Sequence, residues 1–343
     1  RANINYSFKK GNISLGKDNL IWGYGENSNI VLSNKAPSYP YIRLDYKPLK
    51  WLNFNYTHAW LNSNIADSSL SYFTNSDRIN NDFRLVFVQK YLATHSIEVQ
   101  AMKGLNIAIG ESIVYSDKMD PGFLLPINLF KFYDNNKSNY LIEAGSNGQY
   151  FLSLSSRNQI KNTHLYSTLF IDEIKVSSMF NKTESRNQLG FNFGGSITDI
   201  IIPYLSLGAE YTRVNPFVYS NLIPAQNYTS YNYSLGDWMG NNFDRAIIFA
   251  KYTPIAKLKL VARFQKIRKG GAGTIYEQYT AQPQPNFLFD YIKTRSDIFL
   301  QARYEYINNI YLTSSLTLMH TKLANGALIK DNTYQLGISV GLP

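Results

Sequence analysis

Alternation with a period of two, sustained from the first residues to the last, constrains this chain more than any other feature. Successive side chains of a strand point to opposite faces, so an apolar residue at every second position marks one greasy face and one polar face. Early segments read Ile4, Tyr6, Phe8, then Ile42, Leu44, Tyr46, then Leu52, Phe54, Tyr56, His58, Trp60. The other phase holds Arg43, Asp45, Asn53, Asn55 and Thr57. From Phe83 the same phase runs through Leu85, Phe87, Tyr91, Ala93, Ile97 and Val99 to Ala101, which predicts one long strand over 83–102. A second long strand is predicted from Tyr140 through Ile142, Ala144, Tyr150 and Leu152 to Leu154. The series continues through Leu189, Phe191, Phe193 and Leu258, Leu260, Ala262, Phe264. It closes on Tyr334, Leu336, Ile338, Val340 and Leu342, opposite Thr333, Gln335, Gly337, Ser339 and Gly341.

Connectors fall into two alternating length classes. Short turns lie near 9–12, 47–50, 103–104, 159–162, 253–257 and 308–309, and long ones span 62–82, 117–136, 215–242 and 267–294. Short turns at one rim and long loops at the other are the signature of an outer-membrane barrel, with the long loops outside. In lipid only helices and closed barrels satisfy every backbone group. The longer strands exceed the roughly 9–11 residues that cross a bilayer, so they project beyond it. A soluble sandwich or solenoid also alternates, but its strands are usually shorter.

Composition agrees. Among 343 residues there are 27 Tyr and 20 Phe, and only 17% are charged, a mix that favours strands and turns. Cysteine is absent, which excludes disulfides and thiolate chemistry. No run of about 18 apolar residues exists, so a membrane-spanning helix is excluded. The net charge of +10 points to anionic contacts: acidic glycans, lipid phosphates or nucleic acid. Nucleic acid ranks last and is not expected as a partner, because no basic cluster with interleaved aromatics appears. The expected fold is therefore all-β, one antiparallel transmembrane outer-membrane β-barrel over 1–343 with about 16–18 strands. The segments amount to roughly fifteen strands, and barrels of this kind have even numbers, so a strand preceding residue 1 and a missing N-terminal part are expected.

Several stretches resemble the Wzi-type capsule assembly family of outer-membrane proteins, in the form common in Bacteroidetes. They are 16–37, with Trp22-Gly23-Tyr24-Gly25; Lys90-Tyr91-Leu92-Ala93-Thr94-His95; Gly110-Glu111-Ser112-Ile113-Val114-Tyr115; and Pro126-Ile127-Asn128-Leu129-Phe130. Further on come Phe170-Ile171-Asp172-Glu173, the run from Glu210 to Ser220, and Asn227-Tyr228-Thr229. The resemblance implies an 18-stranded barrel with material blocking its lumen and a role in holding capsular polysaccharide at the cell surface. It also implies that about three strands and an N-terminal region are absent from this chain.

The candidate site is the loop after the segment 12–17, which runs toward the long-loop rim. Its residues 18–40 emerge on the outer side and are expected to fold over or into the lumen. Trp22 and Tyr24 offer flat faces for stacking on sugars, and Glu26, Asn27, Asn29 and Asn34 offer hydrogen-bonding groups, so the loop is read as glycan-binding or lumen-closing. Small residues in the polar phase, such as Ala108, Gly110, Gly190 and Gly194, suit a packed lumen. Arg84, Glu98, Arg213, Lys259 and Arg263 are expected as lumen or rim polar groups, guiding an anionic polymer or bridging one another. Glu111 lies in the apolar phase. A bulge at Gly110 that turns it inward, toward a cation such as Lys259 or Arg263, is the expectation, with a place above the membrane as the alternative.

The four histidines are scattered without metal-ligand spacing, no serine sits in a nucleophile elbow, and Asp172 and Glu173 point to opposite faces. No metal, cofactor or catalysis is expected. The leading functional expectation is a non-enzymatic protein of the bacterial outer membrane that assists assembly or surface attachment of capsular polysaccharide or exopolysaccharide. Its expected partners are membrane lipids or lipopolysaccharide and an acidic surface polysaccharide. The alternatives are a barrel subunit of a larger outer-membrane complex, with protein partners, and a solute porin.

Overall fold

Alternation is realised as a wall of fifteen antiparallel strands, each hydrogen-bonded to the next wall strand along the chain. A computed structural model describes residues 2–74, 82–140, 145–174 and 186–341. The wall opens with β1 (Ala2–Phe8), β2 (Gly11–Asp18), β3 (Tyr39–Leu49) and β4 (Leu52–Ala66). A small ribbon, β5 (Tyr72–Phe73) with β6 (Phe83–Arg84), stands apart before β7 (Phe87–Met102) and β8 (Leu105–Ser116). A helix, α1 (Phe130–Tyr140), precedes β9 (Asn147–Arg157), β10 (Thr163–Glu173), β11 (Gln188–Thr198) and β12 (Leu205–Val214). A second ribbon, β13 (Thr229–Ser230) with β14 (Tyr233–Ser234), lies before β15 (Phe243–Ile255) and β16 (Leu258–Lys269). After the short helix α2 (Ile275–Tyr279) the wall ends with β17 (Lys293–Ile307), β18 (Ile310–Leu323) and β19 (Leu328–Val340).

All six predicted short turns fall on one rim, joined there by 199–204. The opposite rim carries the long loops, including 19–38 and 215–242, and one tight turn at 324–327. Strand phase sorts the side chains as a lipid-facing wall requires. Ile109, Phe193, Ile248, Ile298 and Leu300 project outward and are exposed, whereas Gln149, Ser153, Asn192, Thr212 and Gln265 point inward and are buried. Among the described residues the wall has fifteen strands, the number of segments read in the sequence, and β1 and β19 stand at the two ends of the hydrogen-bonded order. Both run toward the short-turn rim.

Two predicted strands are shorter than alternation suggested. Residues 83–102 split, because Val86 is drawn out of the wall: its N–H donates to Ser71 Oγ at 3.0 Å and its carbonyl accepts from Asp67 N–H at 2.8 Å. Phe83 and Arg84 pair instead with Phe73 and Tyr72. The strand read from Tyr140 begins at Asn147, since Tyr140 ends α1; Ile142 and Ala144 lie outside the described residues, as does Leu342.

Two apolar clusters form, one on each side of the wall. The inner one joins Tyr41, Ala59, Leu92 and Val114, which the register places in one inward row, with Phe151, Phe170, Val214 and Phe243. Against these pack Leu20, Trp22, Ile30, Val31 and Leu32 from the 19–38 loop, and Val218, Tyr219, Tyr228 and Leu235 from the 215–242 loop. The lumen is plugged by inward-folded loops and has an apolar core at its long-loop end.

The outer cluster sets Tyr56, Tyr91, Ile113 and Tyr115 under Phe123 and Phe130 of the connector after β8. Glu111 belongs here and not in the lumen. The register His95↔Glu111 and Ser96↔Gly110 is unbroken, so there is no bulge to turn Glu111 inward. Its carboxylate instead accepts the Phe130 N–H at 2.6 Å and the Lys131 N–H at 3.4 Å, at the start of α1, and meets His95 Nε2 at 3.3 Å. A helix N-terminus, with its unpaired N–H groups and positive dipole end, satisfies this outward carboxylate. Glu111→Ala is expected to weaken docking of residues 120–137 by about 1–3 kcal/mol, from the donors it strands. Faster amide exchange in that segment, with the wall strands unchanged, is the expected reading.

Candidate functional site

The 19–38 loop leaves β2 at the long-loop rim and descends inside the wall as a finger. Trp22 N–H donates to the Leu32 carbonyl at 3.1 Å, which brings the two arms together. The glycines serve the tight fold: Gly23 has φ of 117°, and a Cβ on Gly25 would stand 1.8 Å from the Ser28 carbonyl oxygen.

Charged and polar anchors hold the finger at two levels. Near the short-turn side, Glu26 accepts hydrogen bonds from Ser196 Oγ at 2.6 Å and Lys251 Nζ at 2.8 Å, and lies 3.4 Å from His164 Nδ1. Burial raises the Glu26 carboxyl, but the bonds from Lys251 and Ser196, the lysine charge and the His164 contact outweigh it, holding the group below its ordinary range. Next to it, Asn27 N–H donates to Glu210 Oε2 at 2.9 Å, and the Tyr166 hydroxyl donates to the same oxygen. Toward the long-loop side, Ser28 Oγ donates to Asp237 Oδ2 at 2.7 Å, and Arg245 Nη2 pairs with that oxygen at 2.7 Å, all three residues being buried. Tyr219 Oη donates to the Ile30 carbonyl at 2.6 Å, and Ser33 N–H to the Leu235 carbonyl at 2.7 Å.

On the short-turn side of the finger lies a cavity of about 250 Å³, lined by Trp22, Tyr24, Arg43, Asn53, Asn55 and Glu98, among others. Trp22 contributes mainly packing: it is only 9% exposed and sets its ring edge-on to Phe151 at 5.8 Å. Tyr24 is half-buried, and burial followed by the Glu98 carboxylate raises its phenol above the ordinary value. Arg43 pairs with Asp45 at 2.7 Å, which orients its guanidinium along the wall. Beside this opening, Lys9, Lys10, Lys47 and Lys50 surround a second depression of about 570 Å³ at the short-turn rim.

The predicted residues are thus dispersed over several places. Trp22, Tyr24 and Glu98 converge on the cavity, while Glu26 and Asn27 anchor the fingertip. Asn29 Oδ1 lies 3.0 Å from where a Cβ of Gly23 would be, inside the finger, and Asn34 is exposed. Arg84 sits on the outer ribbon, donating to the Tyr72 hydroxyl at 3.0 Å. Arg213 faces outward at the long-loop rim, bonded to Asn215 and stacked 3.8 Å over the Phe287 ring. Lys259 and Arg263 face inward on β16, Arg263 over the Phe299 ring at 5.2 Å. The expected partnership of Glu111 with Lys259 or Arg263 is replaced by His95, because the wall itself separates them. Arg43, Asn53, Asn55 and Lys251 stood in the polar phase without being singled out; their convergence comes from register and from the finger's depth.

Among the described residues no group of His, Asp and Glu is placed to hold a metal ion. A wall of long antiparallel strands, apolar outside and filled inside, with short turns on one rim and long loops on the other, defines an outer-membrane β-barrel. Such a wall belongs in the bacterial outer membrane. No protein-family model and no curated protein matches the sequence. Among solved structures it is similar to Wzi of Escherichia coli, an outer-membrane protein involved in group 1 capsule assembly and a carbohydrate-binding β-barrel. The TM-score is 0.67 at 13% identity, over 99% of this chain and 69% of that one. It is also similar to OccAB4 of Acinetobacter baumannii, with a TM-score of 0.53 at 10% identity over 98% and 73% of the two chains. OccD3 of Pseudomonas aeruginosa gives 0.50 at 11% identity over 100% and 78%. At these identities the likeness is one of fold.

Two outcomes are expected for the anchors. Because the Glu26 carboxyl is depressed on folding, its contribution is present above the ordinary value of 4.5 and is lost as pH falls through the lower folded value. Amide exchange at 22–30 is expected to accelerate in that acid window, and Glu26→Gln to remove this pH dependence. Arg245→Ala strands a buried carboxylate and is expected to lower stability by about 3–5 kcal/mol in urea unfolding from micelles.

Proposed function

We propose that the protein is a non-enzymatic outer-membrane barrel that binds an acidic surface polysaccharide during its assembly or attachment. One observation carries the reading: a plugged lumen whose short-turn side holds a polar cavity edged by Tyr24 and Trp22, beside four rim lysines. An aromatic face stacks on the apolar side of a sugar ring, and paired amide, guanidinium and carboxylate groups bond its hydroxyls. The lysines supply the field that draws a polyanion to the opening. Likeness of fold to Wzi, described as carbohydrate-binding, supports the same reading. In barrels of this kind the short turns face the periplasm. On this reading a polymer meets the protein before reaching the surface, at the short-turn side and not on the long outer loops.

The inner apolar cluster argues against a standing solute channel, since it fills the lumen at its long-loop end with packed side chains. Planar-bilayer recordings are expected to show little conductance, and steady large currents would favour a porin. Binding is tested on the purified barrel with polygalacturonate as the acidic probe and dextran as the neutral one. Changing Lys9, Lys10, Lys47 and Lys50 to Gln is expected to weaken polygalacturonate binding about tenfold at low salt and to flatten its salt dependence. Deleting the gene is expected to remove surface glycan from the cell; a normal capsule in the deletion strain would sink the proposal.

A further inference from the structure

Several inward cations of the wall have an acidic partner: Arg245 pairs with Asp237, Lys251 with Glu26 and Arg295 with Asp297. Three others do not. Among the described residues no carboxylate forms an ion pair with Lys259 or Arg263 of β16, or with Arg303 of β17. Lys259 stands directly opposite Arg303, so two like charges meet across the β16–β17 ladder, an arrangement that destabilises a sheet. Arg263 lies four residues along β16 on the same face, with Arg245, Arg295 and Asp297 as its charged neighbours. The Asp297 carboxylate is already engaged, by Arg295 at 2.7 Å and by Gln265 Nε2 at 2.6 Å. Glu305, the next inward residue after Arg303, turns its carboxylate to the Asn309 N–H at 3.2 Å.

Both arginines are held in place by aromatic rings. Arg303 Cζ lies 3.9 Å from the centroid of Tyr311, and Arg263 Cζ 5.2 Å from that of Phe299. A ring against the guanidinium face fixes its plane and leaves the N–H groups at its edge free to fork onto an oxyanion. Lys259 and Arg303 are exposed and Arg263 is half-buried, so all three are within reach from the lumen. Across β18 the residues opposite Arg303 and Gln301 are Thr313 and Ser315, so hydroxyls and not carboxylates continue this part of the wall. Uncompensated charge kept at a cost in stability is the pattern of a binding site.

We propose that these cations bind two oxyanion groups of an acidic polysaccharide, one between Lys259 and Arg303 near the short-turn rim and one at Arg263, midway along β16. Four residues of strand set the two positions about 13 Å apart, a span that an extended polymer bridges and a single small anion does not. The proposal rests on the polysaccharide reading above and adds a second contact to it. The contact lies on a different part of the wall from the Trp22–Tyr24 cavity, whose wall residues come from β3, β4, β7, β8 and β9. Lys251 marks its border with the finger: it stands opposite Val261, between Lys259 and Arg263, and its ammonium is bound to Glu26 at 2.8 Å.

Lysine acetylation by a water-soluble reagent, read by peptide mass spectrometry on the purified barrel, separates this site from the rim. Polygalacturonate presents carboxylates and dextran sulfate presents sulfate esters, with dextran as the neutral control. Acetylation of Lys259 is expected to slow about tenfold when an acidic probe stands at about ten times its Kd, and the more protective probe identifies the oxyanion. Protection confined to Lys9, Lys10, Lys47 and Lys50 would overturn the site and leave the polysaccharide reading in place. Protection of none of these lysines would overturn both. Galacturonic acid is expected to leave Lys259 unprotected at the concentration of uronate where the polymer protects it; equal protection would overturn the two-point contact. The double variant Arg263→Gln, Arg303→Gln is expected to weaken binding of the protective probe about tenfold, the scale of one charge-assisted contact, and unchanged binding would overturn the proposal. Lys259→Gln relieves the repulsion across the ladder, so it is expected to raise the melting temperature of the probe-free barrel at low salt while weakening binding. A fall in melting temperature would show that an acidic group of the protein already neutralises Lys259, and would overturn the proposal.

Discussion

Lipid offers no hydrogen bonds, and from this the rest of the structure follows. Each wall strand must give its N–H and C=O groups to its neighbours, so the ladders fix register, and register fixes which side chains face inward. Inward polar residues then need partners that water would otherwise supply. The finger from 19–38 provides them: its own N–H groups and hydroxyls reach Glu210 and Asp237, and its carboxylate reaches Lys251 and Ser196. The plug is therefore a continuation of the wall's bonding into the lumen and not a loose lid resting within it.

Much of the architecture was legible because a period of two survives everywhere along a barrel strand. The two misread strands show where that signal stops being sufficient. Residues 83–86 keep the alternation, yet Ser71 and Asp67 take the backbone of Val86, a contact between distant positions that no local pattern encodes. The stretch 130–140 falls mostly within what reads as a long connector, 117–136, with Tyr140 opening the next strand. It becomes helical because Glu111, on a neighbouring strand, caps its first turn.

The candidate site was legible in outline and not in detail. Gly23, Gly25 and the asparagines of 16–40 announced a compact fold, and its direction followed from counting strands up and down. The depth of the finger did not. Apolar residues in the inward phase near the long-loop ends, such as Tyr41, Leu92, Val114 and Phe243, are the sequence trace of the inner core, and they stand among polar neighbours that masked them. Charge was similarly ambiguous: Arg84 and Arg213 share their residue type with Arg43 and Arg245, but the first two end on the outside and the last two inside.

These placements bear on how the lumen can work. Moving the finger aside would break the Glu26 contacts at one level and the buried Asp237–Arg245–Ser28 cluster at another, and would also open the apolar packing of Ile30, Val31 and Leu32. Removing one partner from a buried ion pair alone costs about 3–5 kcal/mol, and here several such contacts would go together. Filling the cavity lined by Trp22 and Tyr24 requires none of these contacts to break, since none of them closes that space. The contacts that close the lumen thus lie with the packed core at its long-loop end, while the lysines and the cavity share the short-turn rim.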